Sequence, residues 1–264
     1  GPHPSHIRGL DDMFRQPQRA QRQSRLISGA AGISKLLCLC LLAAAMSRPA
    51  FAGDAVHAAA NLTDARSAHR ELQSGPGHRP VQVALEWESA SEDVHHLAAW
   101  VIEKTDNHGL PFLIVDKVRA RVFVFDVAGN LRGAAPALLG MALGDDAIAG
   151  IRNLKMTEIG PRMRVTPAGR FLASLGHDPA GKEILWVDYD NSIALHAVVT
   201  NNPKERRLQR LASAIPLDHR ISWGCINVPK MFYEKVVSPS FRGTQGIVYV
   251  MPEIRIASEV FGFK

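Results

Sequence analysis

Phe112-Leu113-Ile114-Val115-Asp116 and Arg121-Val122-Phe123-Val124-Phe125-Asp126-Val127, separated by Lys117 to Ala120, are the stretch from which the fold is read. Both runs are filled with β-branched and aromatic side chains, each has the length of one strand, and the four residues between them suffice for a turn. Gly129-Asn130 supplies the next reversal, so the region reads as an antiparallel meander. Working outward, further strands are expected at Pro136 to Met141, Gly169 to Leu175, Ile184 to Asp188, Ser192 to Ala197 and Gly246 to Met251. Their spacing is that of a small sandwich or barrel rather than of repeated βαβ units. Two helices interrupt them, Pro203 to Ala212 behind Asn202, and Pro229 to Val237 with Pro229 in the first turn. The expected class is therefore mainly β with short helices, a small mixed sandwich or barrel over residues 110–264. Leu143 to Thr166 is long and polar, and loops of that length in a compact domain commonly carry function.

Upstream of the strands, Ser91 can cap a helix over 91–106 whose first turn holds Glu92 and Asp93 and whose apolar face is Val94, Leu97, Ala98, Val101 and Ile102, with Gly109 ending it. Residues 91–109 thus read as a helical brace for the main domain. His95 and His96 are adjacent and face different ways, which favours packing or solvation over metal binding. Residues 53–90, rich in Ala, Ser, Gly and His, read as a linker with room for one short helix.

Residues 1–52 read as a leader with a secretory signal: basic residues Arg15 to Lys35, the apolar run Leu36 to Met46, and small side chains at Ala50 and Ala52 for cleavage after Ala52. Met13 reads as a start of translation. The apolar run is about half of the roughly 20 residues a membrane span needs, so membrane contact is expected only through an uncleaved leader. Export to the periplasm or cell envelope follows. Cys38 and Cys40 would leave with the leader, and Cys225 would remain alone of the three cysteines. A lone thiol in an oxidising compartment is either buried and inert or a nucleophile.

The chain has 264 residues, 46% of them hydrophobic and 21% charged, and a net charge of +6, enough to bury a full core. Of the 31 basic and 25 acidic side chains, 24 and 23 lie in residues 53–264, leaving that part at +1. The basic excess belongs to the leader, and no nucleic-acid partner is expected, since such binding needs a clustered basic face. Neither a Cys/His zinc spacing nor a glycine-rich phosphate loop occurs, so no metal and no cofactor are expected.

Chemistry concentrates in Arg220-Ile221-Ser222-Trp223-Gly224-Cys225-Ile226-Asn227-Val228-Pro229. Glycine before the cysteine permits close approach of a reacting carbonyl, and thiol chemistry at neutral pH needs a base or a positive environment. His196, in the strand Ile193-Ala194-Leu195-His196-Ala197, is the best candidate base, with His177 and His219 as competitors on spacing alone.

Arg164-Val165-Thr166-Pro167-Ala168-Gly169-Arg170-Phe171, a strand histidine at His196, and Ser222-Trp223-Gly224-Cys225-Ile226-Asn227 together resemble the L,D-transpeptidase catalytic domain family, over about Phe112 to Pro252. The resemblance implies that family's catalytic-domain fold, a cysteine nucleophile at Cys225, a general base at His196 and a supporting loop at Ser222 and Gly224, with the Gly224 and Cys225 amides as oxyanion donors. It implies acyl transfer on peptidoglycan stem peptides, donor and acceptor, by transpeptidation or carboxypeptidase action. Three departures stand out: Trp223 where a second motif histidine is usual, Asn227 where an arginine is usual, and a lengthened segment between His196 and Ser222. Trp223 and Asn227 are expected to shape substrate binding, and Arg220 or Arg164 to replace the missing arginine. Two other readings remain open: a catalytically silent envelope-binding module, and a thiol hydrolase acting on another amide.

Overall fold

The computed structural model describes residues 78–263; the leader, its cleavage site, Cys38, Cys40 and most of the 53–90 segment lie outside the described residues. The hairpin forms as its pattern requires: β1 (Phe112–Asp116) pairs antiparallel with β2 (Arg121–Phe125), Phe112 opposite Phe125 and Asp116 opposite Arg121. Every β1 residue is buried, which explains why Phe112 to Val115 are apolar without alternation, while Asp116 at the strand end is buried on its hydrogen-bond partners. One set of its side chains, Leu113 and Val115, joins Val122, Val124, Leu185, Leu195, Ile226, Val248 and Val250 in the main core. The other set, Phe112 and Ile114, joins Phe123, Phe125, Ile247 and Tyr249 beneath a helix.

That helix is α2 (Glu92–Lys104), preceded by α1 (His78–Glu88). Ser91 caps α2 by accepting from the Val94 amide, and its hydroxyl also donates to Asp116 Oδ2 at 2.8 Å, tying the helix start to the end of β1. Val94, Leu97, Ala98 and Val101 are buried, whereas Ile102 is exposed. The helix stops before Gly109, at Thr105, which takes a left-handed conformation. Within the expected 53–90 linker, the eleven residues His78–Glu88 are α1. Its Glu86 carboxylate accepts from the Ala134 amide at 2.9 Å, and Trp87 packs edge-on against His95 and Phe125, so His95 serves packing.

The remaining strands are β3 (Leu131–Pro136), β4 (Leu139–Gly140), β5 (Gly169–His177), β6 (Glu183–Asp188), β7 (Ile193–Ala197), β8 (Arg220–Ser222), β9 (Ile226–Val228) and β10 (Gln245–Val250). Eight of the ten strands form one sheet in the order β3-β2-β1-β10-β5-β6-β7-β9, and β4 pairs with β8 apart from it. The β1–β10 and β7–β9 pairs are parallel and the other pairs of the large sheet antiparallel. Leu138, two residues beyond edge strand β3, exchanges two backbone hydrogen bonds with Asn227 in the opposite edge strand β9, at 2.8 and 2.9 Å. The sheet thereby closes into a nearly complete barrel, and the fold is mainly β with short helices, as the strand spacing predicts.

Two corrections apply to the expected elements. The strand expected at Pro136 to Met141 is a short β4 flanked by loop, while the true edge strand lies just before it at 131–136. The helix expected at Pro203 to Ala212 is a 3-10 turn (Pro203–Glu205) and a separate α3 (Arg207–Leu211), broken at Arg206 with φ +51°. Past Pro229, helical structure runs from Lys230 to Phe241, with a π turn at Tyr233–Val237.

One charged cluster sits inside this shell. Lys117, fully buried in the β1–β2 turn, donates to Gly144 O (2.5 Å), Asp145 Oδ1 (2.8 Å) and Thr166 O (2.9 Å). The Asp145 carboxylate also accepts the amides of Glu253, Ile254 and Arg255, and Glu253 pairs with Arg220. The β1–β2 turn, both ends of the 143–166 loop, β8 and the segment after β10 are thus held by one set of two cations and two carboxylates.

Candidate active site

Parallel pairing of β7 with β9 brings the candidate residues together. Leu195 stands opposite Ile226 and His196 opposite Asn227. Side chains alternate across a strand, so with Leu195 and Ile226 in the core, His196, Asn227 and Cys225 share the other face. One strand spacing and two residues of rise put the His196 and Cys225 Cα atoms roughly 8 Å apart, within reach of the two side chains. Both residues line one cleft of about 650 Å³, together with Ser222, Trp223, Asn227 and Arg207 among others.

The tautomer of His196 is fixed by its neighbour. Nδ1 lies 2.8 Å from Ala197 O, and because a carbonyl only accepts, Nδ1 carries the hydrogen and the Nε2 lone pair is left for a proton. Burial holds the imidazole below its ordinary value of 6.5, against the opposing Ala197 hydrogen bond, so it is neutral at neutral pH. Burial pushes the Cys225 thiol above its ordinary 9.0, against the favourable Ala194 amide and the Arg207 charge. A neutral thiol and a neutral imidazole in one cleft can pass a proton as the sulfur attacks, once the thiol turns from Ser192 O toward Nε2. In the resting structure Cys225 Sγ points to Ser192 O at 3.7 Å.

The turn carrying Cys225 is stapled from within. Ser222 Oγ donates to Cys225 O (2.6 Å) and accepts from the Gly224 amide (3.1 Å). Of the two amides expected to face an oxyanion, that of Gly224 is therefore engaged by Ser222, which leaves the Cys225 amide for that role. Gly224 adopts φ +127°, and a Cβ there would lie 2.7 Å from Val165 O and 2.8 Å from Ile193 Cδ1. Its need for glycine is this close packing on the 143–166 loop, not only the approach of a substrate. Thr166, which the sequence offers merely as part of a motif, is fully buried; its hydroxyl donates to Gly224 O and accepts from the Gly140 amide, both at 2.8 Å.

Trp223 has two roles, one in the cleft and one in packing. It lines the cleft and also packs against the buried Ile151 and Ile159 of the 143–166 loop, with the Arg164 guanidinium 3.5 Å above its ring centroid. Asn227 is buried, its Nδ2 donating to Cys225 O (3.2 Å) and its Oδ1 accepting from Arg207 Nη1 (2.5 Å).

The arginines expected to replace the missing one do not reach the cleft. Arg220 is committed to Glu253 and to Lys117 O, and Arg164 sits over the Trp223 ring and donates to Ile159 O. Arg207 is the guanidinium that lines the cleft, delivered by the lengthened segment between His196 and Ser222. The sequence signal for it was that extra length; nothing local marks Arg207 among the neighbouring Arg206 and Arg210. The competing histidines also separate. His219 is buried with Nδ1 facing Ala137 O and Nε2 facing Ser213 O, both at 3.0 Å, so neither nitrogen is open to a thiol. His177 is exposed at the end of β5. Among the described residues no group of three or more His, Cys, Asp or Glu could hold a metal ion, and no helix is long and apolar enough to cross a membrane.

No protein-family profile and no curated protein matches the sequence. Among solved structures, the chain is similar to the helical cell shape determining protein Pgp2 from Campylobacter jejuni, at 14% identity and a TM-score of 0.35, covering 56% of this chain and 49% of that one. It is also similar to the catalytic domain of the L,D-transpeptidase from E. faecium, at 16% identity and a TM-score of 0.31, covering 53% of this chain and 95% of that one. The chain thus spans about half the length of Pgp2.

Proposed function

We propose that the chain is a cysteine acyltransferase of the cell envelope acting on peptidoglycan stem peptides, as an L,D-transpeptidase or L,D-carboxypeptidase. The observation that carries this reading is the placement of Cys225 and His196 on one face of the β7–β9 pair, in one cleft, with His196 Nε2 unprotonated. The Ser-x-Gly-Cys turn and the Thr-Pro-x-Gly-x-Phe segment, tied together by the Thr166–Gly224 hydrogen bond, agree with the sequence resemblance.

His196 Nε2 takes the thiol proton as Cys225 Sγ bonds to the peptide carbonyl carbon, whose oxygen becomes an oxyanion facing the Cys225 amide. Collapse breaks the amide bond. The departing amine of the terminal residue takes the proton back from His196, leaving a thioester on Cys225. An acceptor amine or water then gives its proton to His196 and attacks the thioester, releasing a cross-linked or a trimmed peptide and restoring the thiol.

One observation favours the silent binding module instead: the Cys225 thiol is raised by burial and directed at Ser192 O. The deciding experiment is intact mass spectrometry after exposure to a disaccharide tetrapeptide. Loss of the terminal residue with an acyl adduct on Cys225 is the expected result. No adduct, no turnover and no alkylation of Cys225 near neutral pH would refute the acyltransferase and favour the binding module.

A further inference from the structure

The cleft holds one guanidinium, and its hydrogen bonding is incomplete. Arg207 Nε donates to Glu205 Oε2 at 2.5 Å and Nη1 to Asn227 Oδ1 at 2.5 Å, while Nη2 makes no hydrogen bond among the described residues. An arginine has five donors in a rigid fork suited to a carboxylate, so Nη2 and the outer side of Nη1 present an unused recognition edge. Asn227 links this edge to the nucleophile, accepting from Arg207 and donating to Cys225 O.

We propose that Arg207 binds the C-terminal carboxylate of the peptide entering the cleft through this Nη edge, and that Glu205 on Nε is the resident counter-ion with which this carboxylate competes for the guanidinium charge. The inference rests on the reading of the cleft as a peptide site. Spacing supports it: Asn227 is two strand residues from Cys225, roughly 7 Å. From the attacked carbonyl to the carboxyl group of the next residue is one residue, about 3.8 Å, to which the approach of the sulfur is added. A terminal carboxylate one residue beyond the cleaved bond therefore falls beside Asn227, where Arg207 ends. Exposure supports it as well. The Arg207 side chain is 12% exposed and anchored at Asn227, whereas Glu205 is 28% exposed at the end of a 3-10 turn, so solvent screens the resident carboxylate more than the guanidinium. Cleavage would then be restricted to the last residue of a chain, because an internal peptide bond offers an amide where Arg207 requires a charge.

The test uses the full chain carrying Cys225→Ala, so that binding is read without turnover. Calorimetric titration compares disaccharide tetrapeptide ending in a carboxylate with the same molecule ending in a carboxamide. The acid is expected to bind at least about tenfold more tightly, and Arg207→Gln to remove that preference while Arg207→Lys retains part of it. Glu205→Gln, which leaves Arg207 in place, is expected to tighten the acid severalfold and leave the amide unchanged, an effect of opposite sign to any loss of folding. Equal binding of acid and amide, a preference that survives Arg207→Gln, or no binding of either overturns the proposal. Turnover by the unmodified Cys225 chain is scored separately. An Arg207-dependent acid preference without turnover refutes the acyltransferase and leaves Arg207 as the anion site. Turnover without acid preference does the reverse.

Discussion

Replacing Lys117 with methionine removes a buried cation while nearly preserving its volume, so the loss is electrostatic rather than a cavity. The ammonium spends its three donors on Gly144 O, Asp145 Oδ1 and Thr166 O, at 2.5 to 2.9 Å, and lies 3.5 Å from Glu253 Oε1. Without it, Asp145 and Glu253 face Arg220 alone, leaving one uncompensated negative charge among groups that are at most 8% exposed. Breaking a buried pair from one side costs about 3–5 kcal/mol, and the two carbonyls left without a donor lie within that range of effect rather than adding to it in full. At a urea slope of about 2 kcal/mol per M the unfolding midpoint should fall by roughly 1.5–2.5 M, followed by tryptophan fluorescence. Lys104→Met, at a side chain 57% exposed and paired with the exposed Glu103, should move the midpoint by less than about 0.3 M. Because Thr166 joins Lys117 to Gly224, the variant should also lose thiol reactivity at Cys225 in the conditions where it is still folded. A Lys117→Met midpoint no lower than that of Lys104→Met would refute the claim that this cluster holds the loop, β8 and the C-terminal segment together.

Gly224→Ala places a Cβ against Val165 O and Ile193 Cδ1 at a φ that favours glycine, and should cost about 2–5 kcal/mol of stability; a midpoint equal to the parent's would show that the turn relaxes freely. His196→Ala should slow the chemical step by roughly 10²- to 10⁴-fold with little effect on unfolding, whereas His219→Ala, which removes a buried ring held between Ala137 O and Ser213 O, should lower stability; the opposite pattern would reverse their roles. Activity should rise with pH through a titration below 6.5, since His196 must be neutral and burial lowers its pKa; an acid limb above 6.5 would contradict that environment. Burial alone would raise the Asp145 carboxyl, but the Lys117 ammonium and three amides outweigh it and hold the group at about 2, below its ordinary 3.8. A folded pKa below the unfolded one adds stability that is complete above about 3.8 and lost as pH falls through about 2, worth about 2 kcal/mol. Denaturation midpoints measured across that range should show the loss, and Asp145→Ala should abolish this part of it.

The β1–β2 hairpin, β5, β6, β7 and β10 are legible in the sequence because each carries its own signal, an apolar run of strand length bounded by turn residues. Cys225 stands out by the Ser-x-Gly-Cys segment around it, and His196 by its position in an apolar strand. The elements that escaped detection owe their structure to distant partners. Edge strand β3 carries no strand signal of its own because Gly133, Ala134 and Ala135 are small; Gly133 and Ala135 face Phe232 and Val236 of the helical segment, while Ala134 faces the core beneath α2. Strands β8 and β9, three residues each, have no periodicity to detect and exist through pairing with β4 and β7. Helix α1 is held by Glu86 and Trp87 against strands some 40 residues later in the chain, so composition alone makes it a linker. The same reason hid the residues that shape the site. Lys117 looks like an exposed turn lysine until loops far along the chain supply its acceptors, and Arg207 looks like one of several surface arginines until Asn227 is brought beside it. Local pattern reports how one element alternates between core and solvent; which charges become buried together, and which arginine enters the cleft, is decided when the barrel closes between Leu138 and Asn227 and unites segments that the sequence keeps apart.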